Sequence, residues 1–232
     1  NGTKVMLSPS SSEAGRVYVS ARFGNGMKSL PRDRLTAAWA GPGALVQSGI
    51  GTLKQDQLER MTSGRQINMA IDTGESAFTM RALTRPADLA DQLKLMAAKF
   101  AAPGWDAAPV LRTKAAAILG LRTADSSPRD VVGRELGQYL RGGDKRWSTP
   151  GKADAEALTP EAFRAFWEPV LATGPIELSI FGDFDPDAVK PIILETFGAL
   201  PARPVAVALK GSDMSSGPKP TKTPVRLTHK GS

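Results

Sequence analysis

Few residues in this sequence have side chains that could carry out catalysis. The 232 residues include no cysteine and a single histidine, His229, near the carboxyl terminus. Without cysteine there is no disulfide, no thiolate nucleophile and no thiolate-ligated zinc or iron–sulfur site. One histidine is too few for a histidine-rich zinc site, and a serine triad needs an imidazole that the fold holds in place. We therefore predict that the sequence has no catalytic, cofactor-binding or metal-binding residue.

Three aspartates at alternate positions, in residues 183–187 (DFDPD), superficially suggest a calcium loop. A helix–loop–helix calcium loop needs glycine at its sixth position and a bidentate acid at its twelfth. Counted from Asp183, those positions hold Ala188 and Leu194. A turn between a strand and a helix explains the acids better, with Asp185 as the N-cap and a proline at the first helical position.

Other short motifs are weak evidence for a binding or catalytic function. The glycine pairs in 41–43 and 49–51 lack the third glycine of a dinucleotide fingerprint. Residues 216–219 (SGPK) match the Ser-x-x-Lys spacing of some serine acyl enzymes, but they lie in a stretch rich in proline and glycine. The basic residues 141–146 beside Trp147 could form an exposed binding loop, although a solvated connection is the simpler interpretation.

The charge distribution argues against nucleic-acid binding. The formal net charge is +7, and residues 201–232 carry six basic residues against one acid, which leaves 24 basic and 22 acidic residues for 1–200. A nucleic-acid domain carries its basic surface on the folded part of the chain, with aromatic groups or a reading helix. No apolar run approaches the roughly 18 residues of a membrane span. We expect neither nucleic acid nor a membrane span.

The pattern of apolar residues predicts five strands and a larger number of helices. Strict alternation marks residues 16–23 and 76–83 as strands with one buried face. The remaining predicted strands are 4–8, 66–71 and 176–181. We expect the first two strands of the chain to be antiparallel neighbours joined by the turn at 9–15. We also expect Phe181, in the last strand, to lie in the core.

Helical periodicity marks most of the remaining chain. The predicted helices are 52–62, 85–100, 110–122, 128–141, 162–171 and 185–197, with a Gly-Pro-Gly break inside the helical spacing of 33–48. Strands that come in pairs and helices that come in runs favour the α+β class. We predict a mainly antiparallel sheet with helices packed on one face.

Five segments resemble a known family. Residues 1–7 (NGTKVML), followed by the strand 17–20 (VYVS), are similar to the opening of insulinase/pitrilysin-type zinc metallopeptidase domains. Residues 180–187 (IFGDFDPD) and 197–201 (FGALP) resemble the strand, turn and helix that close such domains. Residues 158–163 (LTPEAF) resemble the start of the preceding helix. The resemblance covers about residues 1–203.

The resemblance implies an α+β domain that is used in several copies. Two halves of two domains each close like a clamshell around a peptide. In the active copy an inverted H-x-x-E-H helix supplies zinc-ligating histidines and a glutamate base. Its place here is 33–48, which contains neither histidine nor glutamate. The implied function is a non-catalytic domain, the first of the inactive half, that helps to form the peptide-enclosing chamber. Zinc is expected only in the catalytic half of the parent peptidase.

The resemblance also gives a domain organisation. We expect a peptidase-like domain over 1–203, a basic linker rich in proline, glycine and serine over 204–224, and the truncated first strand of a following domain over 225–232. A linker of this kind predicts that deleting residues 210–232 leaves stability almost unchanged. Because the chain starts without methionine or a signal peptide, we expect an excised or mature segment.

The partners expected from this reading are a catalytic half, on the same or another chain, and a peptide substrate. The parent is then a peptidase and the fragment alone is inactive. Two alternatives stay open from the residues: a stand-alone binding or assembly protein of the same fold, and an unrelated enzyme in which Asp183 and Asp185 act with a divalent metal. Composition hints at a bacterial source, and the absence of cysteine fits either periplasm or cytoplasm.

Overall fold

A five-stranded sheet organises the molecule. The computed structural model describes residues 1–207, 209–213, 224 and 226–228. The strands are β1 (Lys4–Pro9), β2 (Val17–Phe23), β3 (Ala70–Thr73), β4 (Phe78–Thr84) and β5 (Glu177–Gly182), in the spatial order β1-β5-β2-β4-β3. β1 runs parallel to β5, and every other pair is antiparallel. The predicted α+β fold with a mainly antiparallel sheet is confirmed.

The described part of the chain contains eight α-helices. They are α1 (Gly41–Ala44), α2 (Gln55–Met61), α3 (Leu89–Ala101), α4 (Ala107–Gly120), α5 (Pro128–Tyr139), α6 (Lys152–Ala157), α7 (Pro160–Ala172) and α8 (Pro186–Glu195). Short 3-10 helices cover Met27–Ser29, Ala37–Ala40, Pro86–Asp88 and Lys145–Trp147. In the described part of the chain, no helix has the length and apolar character needed to cross a membrane.

The prediction that the first two strands are neighbours is wrong, because β5 lies between them. β5 pairs with β1 on one side and with β2 on the other. Its end approaches β2 so closely that a Cβ on Gly182 would lie 2.2 Å from the carbonyl oxygen of Arg16. Residues 10–16 therefore cross the width of a strand instead of forming a tight hairpin. The local pattern gave no sign of this long-range pairing.

One face of the sheet is buried and the other is open. On β2 the side chains of Val17, Val19, Ala21 and Phe23 are all buried beneath the helices. On β5 the same alternation buries Leu178 and Ile180 and turns Phe181 to the opposite face. Phe181 is 42% exposed, so its expected place in the core is wrong.

Polar side chains begin the helices at the places the sequence predicted. Ser127 accepts a hydrogen bond from the backbone N–H of Asp130, Thr159 from that of Ala162, and Asp185 from that of Asp187. Each satisfies a backbone donor that the first turn leaves unpaired. The sequence pattern did not predict helix α6, because the residues before it have the composition of a polar loop.

The centre of the core is the indole ring of Trp167 on α7, which is fully buried. The rings of Phe78 and Phe166 pack edge-on against it at centroid distances of 5.1 and 5.3 Å. Its Nε1–H donates to the carbonyl oxygen of Ala37 at 3.2 Å. Trp167 thus joins α7 both to the sheet and to the segment that leads into α1.

The segment below Trp167 needs glycine at position 41. A Cβ on Gly41 would lie 2.1 Å from the ring carbon Cζ2 of Trp167, well inside van der Waals contact. The predicted break at the Gly-Pro-Gly sequence is present as a change from the 3-10 helix Ala37–Ala40 to the short helix α1.

A buried ion pair fixes the connection after α5. Arg146 and Asp144 are both fully buried, and the guanidinium donates Nε–H to Oδ1 at 2.9 Å and Nη2–H to Oδ2 at 2.6 Å. The Nη1 group of Arg146 also donates to the carbonyl oxygen of Lys28 at 2.8 Å. Burial favours the neutral form of Asp144, but the hydrogen bonds from Arg146 outweigh it and lower the pKa of this carboxyl. The interpretation of residues 141–146 as a solvated connection is therefore wrong.

Part of the segment predicted as a linker contacts the domain. The backbone N–H of Leu209 donates to Ser29, and the carbonyl oxygens of Gly211 and Asp213 accept from the Arg32 backbone N–H and the Arg146 side chain. Residues 208, 214–223, 225 and 229–232 lie outside the described residues, and with them Ser216, Lys219 and His229. The boundaries at 204–224 and 225–232 stay predictions.

The contact between Gly41 and Trp167 predicts the effect of Gly41→Ala. We expect the added methyl group to displace the indole and to lower the free energy of unfolding by about 1–3 kcal/mol, the usual range for overpacking. Chemical denaturation measures the change.

Gly133→Ala is the matched control, because a Cβ at this α5 position meets nothing within 4 Å. There we expect a gain of about 0.5–1 kcal/mol from helix propensity alone. Equal effects at the two glycines would contradict the packing argument.

Because residues 209–213 contact the domain, we now expect the effect of a carboxyl-terminal deletion on stability to depend on whether it removes them. A chain ending at Ser216 keeps these contacts and should unfold at the same denaturant concentration as the full chain. A chain ending at Ala208 loses the carbonyl partner of the buried Arg146, and we expect a loss of about 1–3 kcal/mol. Identical midpoints for the two shortened chains would show that 209–213 adds nothing to stability.

Candidate functional site

The resemblance implies that residues 33–48 take the place of the family's zinc-binding helix, and the helical part of this segment is Ala37–Ala44. It consists of a 3-10 turn and the four residues of α1, and its sequence is AAWAGPGA. Imidazole and carboxylate groups are absent from these eight side chains. Among the residues that the structure describes, no three His, Cys, Asp or Glu side chains come together in a group that could hold a metal ion.

The aspartates of 183–187 have structural partners. Asp183 accepts from the backbone N–H of Gly15 at 2.7 Å, which ties the turn after β5 to the start of β2. Asp185 is the N-cap of α8, and Asp187 accepts from the ammonium of Lys190 at 2.8 Å. The hydrogen bond from Lys190 lowers the pKa of Asp187. These contacts agree with the capping interpretation of the motif.

A cavity of about 260 Å³ lies between α2 and α3. Two irregular segments, 46–50 and 67–69, complete its walls. Half of the twelve lining residues that the structure describes have apolar side chains, and these are Val46, Ile50, Leu58, Ile67, Met69 and Leu95. No residue of α2 is buried, so this short helix covers the cavity without entering the core.

Lys99 contributes the cationic group of the cavity, and it is only 1% exposed. Its Nζ donates to Ser48 Oγ at 2.8 Å and to the carbonyl oxygen of Gly49 at 2.7 Å. The Ser48 hydroxyl donates its own proton to the carbonyl oxygen of Leu45 at 2.8 Å. Both bonds at the amine are therefore donated by Lys99.

Among the residues that the structure describes, the ammonium of Lys99 has no carboxylate partner. In the described chain its hydrogen bonds are those to Ser48 and Gly49, and it takes part in no ion pair. Burial penalises the charged form and lowers the pKa of Lys99 to about 7. Near neutral pH this side chain is thus divided between ammonium and amine.

Sequence reasoning missed Lys99, because a lysine in an amphipathic helix usually lies on the wet face. The spacing did contain a signal. Lys99 follows the fully buried Gln92 by seven residues, or two helical turns, and lies next to the buried Phe100. Gln92 exchanges hydrogen bonds with the backbone of Asn68, which holds the segment 67–69 that forms one wall.

Comparison with known proteins identifies solved structures with a similar fold. No family model matches the sequence, and no curated protein matches it. Solved structures do match. The periplasmic protease PqqL from Escherichia coli superposes with a TM-score of 0.71 at 16% identity, over 91% of this chain and 23% of that protein. The ferredoxin protease FusC, in complex with Arabidopsis ferredoxin, gives 0.70 at 18% identity, over 91% and 23%.

A half-length structure matches equally well. The peptidase M16 inactive domain from Pseudomonas fluorescens superposes with a TM-score of 0.69 at 17% identity, over 89% of this chain and 50% of that one. The chain thus spans about a quarter of the two longer proteases and about half of this shorter structure. It has the fold of an M16-type, pitrilysin-like protease domain, as the resemblance in sequence implied.

The shifted pKa of Lys99 predicts how stability depends on pH. The unfolded chain holds the proton of this lysine up to about pH 10.4, and the folded chain releases it near pH 7. Between these values the unfolded state binds more protons, so the free energy of unfolding rises with pH. Below pH 7 both states are protonated and the contribution of Lys99 is constant.

Lys99→Met removes this dependence. We expect the stability of the unmodified chain relative to Lys99→Met to increase between pH 7 and pH 10, as measured by urea denaturation across that range. Lys94→Met on the same helix is the control, because the Lys94 side chain is 62% exposed. If the difference in stability between the unmodified chain and Lys99→Met does not change with pH, burial does not lower the pKa of Lys99.

Proposed function

We propose that this chain is a non-catalytic domain of an insulinase/pitrilysin-type zinc metalloendopeptidase, the first domain of the inactive half. In this role it helps to enclose the peptide and contributes neither zinc nor a catalytic side chain. The observation that carries the proposal is the segment Ala37–Ala44, the helical part of residues 33–48, to which the resemblance assigns the family's zinc helix. It has no ligand side chain, and Gly41 lies tightly against Trp167.

The lengths of the matching structures support a domain of a larger protein. A domain that accounts for about 23% of two proteases and 50% of an inactive M16 structure has the size of one of four similar units. Two such units form a half. The expected partner is therefore a catalytic half, on the same or another chain, that carries the H-x-x-E-H helix and its zinc.

The open face of the sheet supports a role as a wall. Helices cover the opposite face, while this one presents aromatic and charged groups together. Tyr18 and Phe181 pack at a centroid distance of 6.0 Å, and Arg22 pairs with Glu177 at 3.6 Å. Aromatic surface and paired charges suit transient contact with peptides of varied sequence, so we assign this face to the inside of the chamber.

Zinc content and peptidase activity of the purified chain test the proposal. We expect less than stoichiometric zinc by elemental analysis and no cleavage of fluorogenic peptides, with an H-x-x-E-H peptidase of the family as the positive control. His229→Ala removes the single imidazole and so identifies adventitious zinc. Stoichiometric zinc that survives this substitution would overturn the proposal.

The gene around this sequence provides the second test. An in-frame H-x-x-E-H in a similar domain upstream, or on a neighbouring gene, is the expected result. A start codon directly before Asn1 with no such partner nearby would favour the alternative, a stand-alone binding or assembly protein of the same fold.

A further inference from the structure

We propose that the cavity between α2 and α3 binds a small apolar monocarboxylate, whose carboxylate pairs with the ammonium of Lys99. Neither the peptidase fold nor the proposed role as a chamber wall requires such a site. The inference rests on the geometry of the cavity and on one buried charge, so it does not depend on the proposed function.

The charge of Lys99 is the first argument. A buried ammonium without a counter-ion is costly, and proteins normally pair such groups. An ammonium has three N–H donors, and two of them serve Ser48 Oγ and the Gly49 carbonyl. In the described residues the third donor finds no acceptor. A ligand carboxylate would supply both the missing acceptor and the missing charge.

The position of the amine is the second argument. Lys99 and Gly49 both line the cavity, and the Gly49 carbonyl oxygen accepts a hydrogen bond from Lys99 Nζ at 2.7 Å. A second bond, to Ser48 Oγ at 2.8 Å, holds the amine beside these lining residues. A preformed donor of this kind costs a ligand little ordering entropy.

The walls select the remainder of the ligand. Six of the lining side chains are apolar, while Gln55 and Asn68 contribute amides. The cavity, of about 260 Å³, has room for a short acyl chain, and we take hexanoate as the probe. An acyl chain against aliphatic walls and a carboxylate at Lys99 would fill the site.

Two titratable groups line the cavity, and their charges have opposite effects on the binding of an anionic ligand. Lys99 comes from α3 and Glu59 from α2, while the segments 46–50 and 67–69 contribute none. Glu59 belongs to a helix without buried residues, so its carboxylate stays in contact with solvent and is screened. Lys99 is the one cationic residue among the described residues that line the cavity, so the site can pair a single carboxylate, which is why we infer a monocarboxylate.

Two kinds of ligand combine an apolar group with one carboxylate: a free short-chain carboxylic acid and the carboxyl terminus of a peptide. Calorimetric titration of the full chain with hexanoate and with N-acetyl-leucinate distinguishes them. Hexanol and N-acetyl-leucinamide are the neutral counterparts. We expect saturable binding of at least one carboxylate, with its neutral counterpart at least about tenfold weaker. Stronger binding of N-acetyl-leucinate would favour a peptide end.

Lys99→Met tests the assigned partner. Methionine keeps the apolar stem and removes the charge, so we expect the variant to fold and to bind the carboxylate at least about tenfold more weakly. Lys94→Met, on the exposed side of α3, should bind like the unmodified chain. Affinity of the unmodified chain should fall between pH 6 and pH 9, as the amine loses its proton.

Three results would overturn the inference. The first is the absence of saturable heat with either carboxylate, and the second is equal affinity for a carboxylate and its neutral counterpart. The third is unchanged binding by Lys99→Met. The comparison of carboxylates with neutral ligands needs no variant, so it decides the question even if Lys99→Met does not fold. None of these results bears on zinc content or peptidase activity.

Discussion

The close approach of Trp167 to Gly41 is the constraint on which the rest of the domain depends. The indole joins α7, the sheet and the 3-10 helix Ala37–Ala40, and it reaches this position only because residue 41 has no Cβ. A regular helix carrying large ligand side chains along this segment would have to move that ring. The packing that stabilises the domain and the absence of metal-ligating groups at this place are thus two consequences of the same short sequence.

Two buried cations show how differently one fold treats charge. Arg146 has a bidentate carboxylate partner and further carbonyl acceptors, so its guanidinium fixes the loop between α5 and α6 to the residues near Lys28. Lys99 has neutral acceptors only, and its charge is destabilised by burial. Complete pairing explains Arg146 as a structural group. Incomplete pairing beside a cavity is what makes Lys99 a candidate for function.

Sequence reasoning succeeded where the information is local. Alternation in 16–23 and 76–83, and the capping residues Ser127, Thr159 and Asp185, placed strands and helix starts near their observed positions. It failed where partners are distant along the chain. The insertion of β5 between β1 and β2, the pairing of Arg146 with the segment near Lys28, and the burial of Lys99 against Ser48 all join residues that no short pattern relates. The failure over Phe181 was of another kind, because the phase of the alternation, not hydrophobicity, decides the face.

The open face of the sheet is a consequence of local sequence pattern, and it bears on function. A sheet covered by helices on one side leaves Tyr18, Arg22 and Phe181 on the other, and this arrangement follows from alternation alone. The segment Ala37–Ala44 differs from this face in kind, because its lack of imidazole and carboxylate groups is a property of the sequence and not of the strand alternation. The open face and the cavity at Lys99 are two parts of the described structure through which this domain can contact a ligand or a partner.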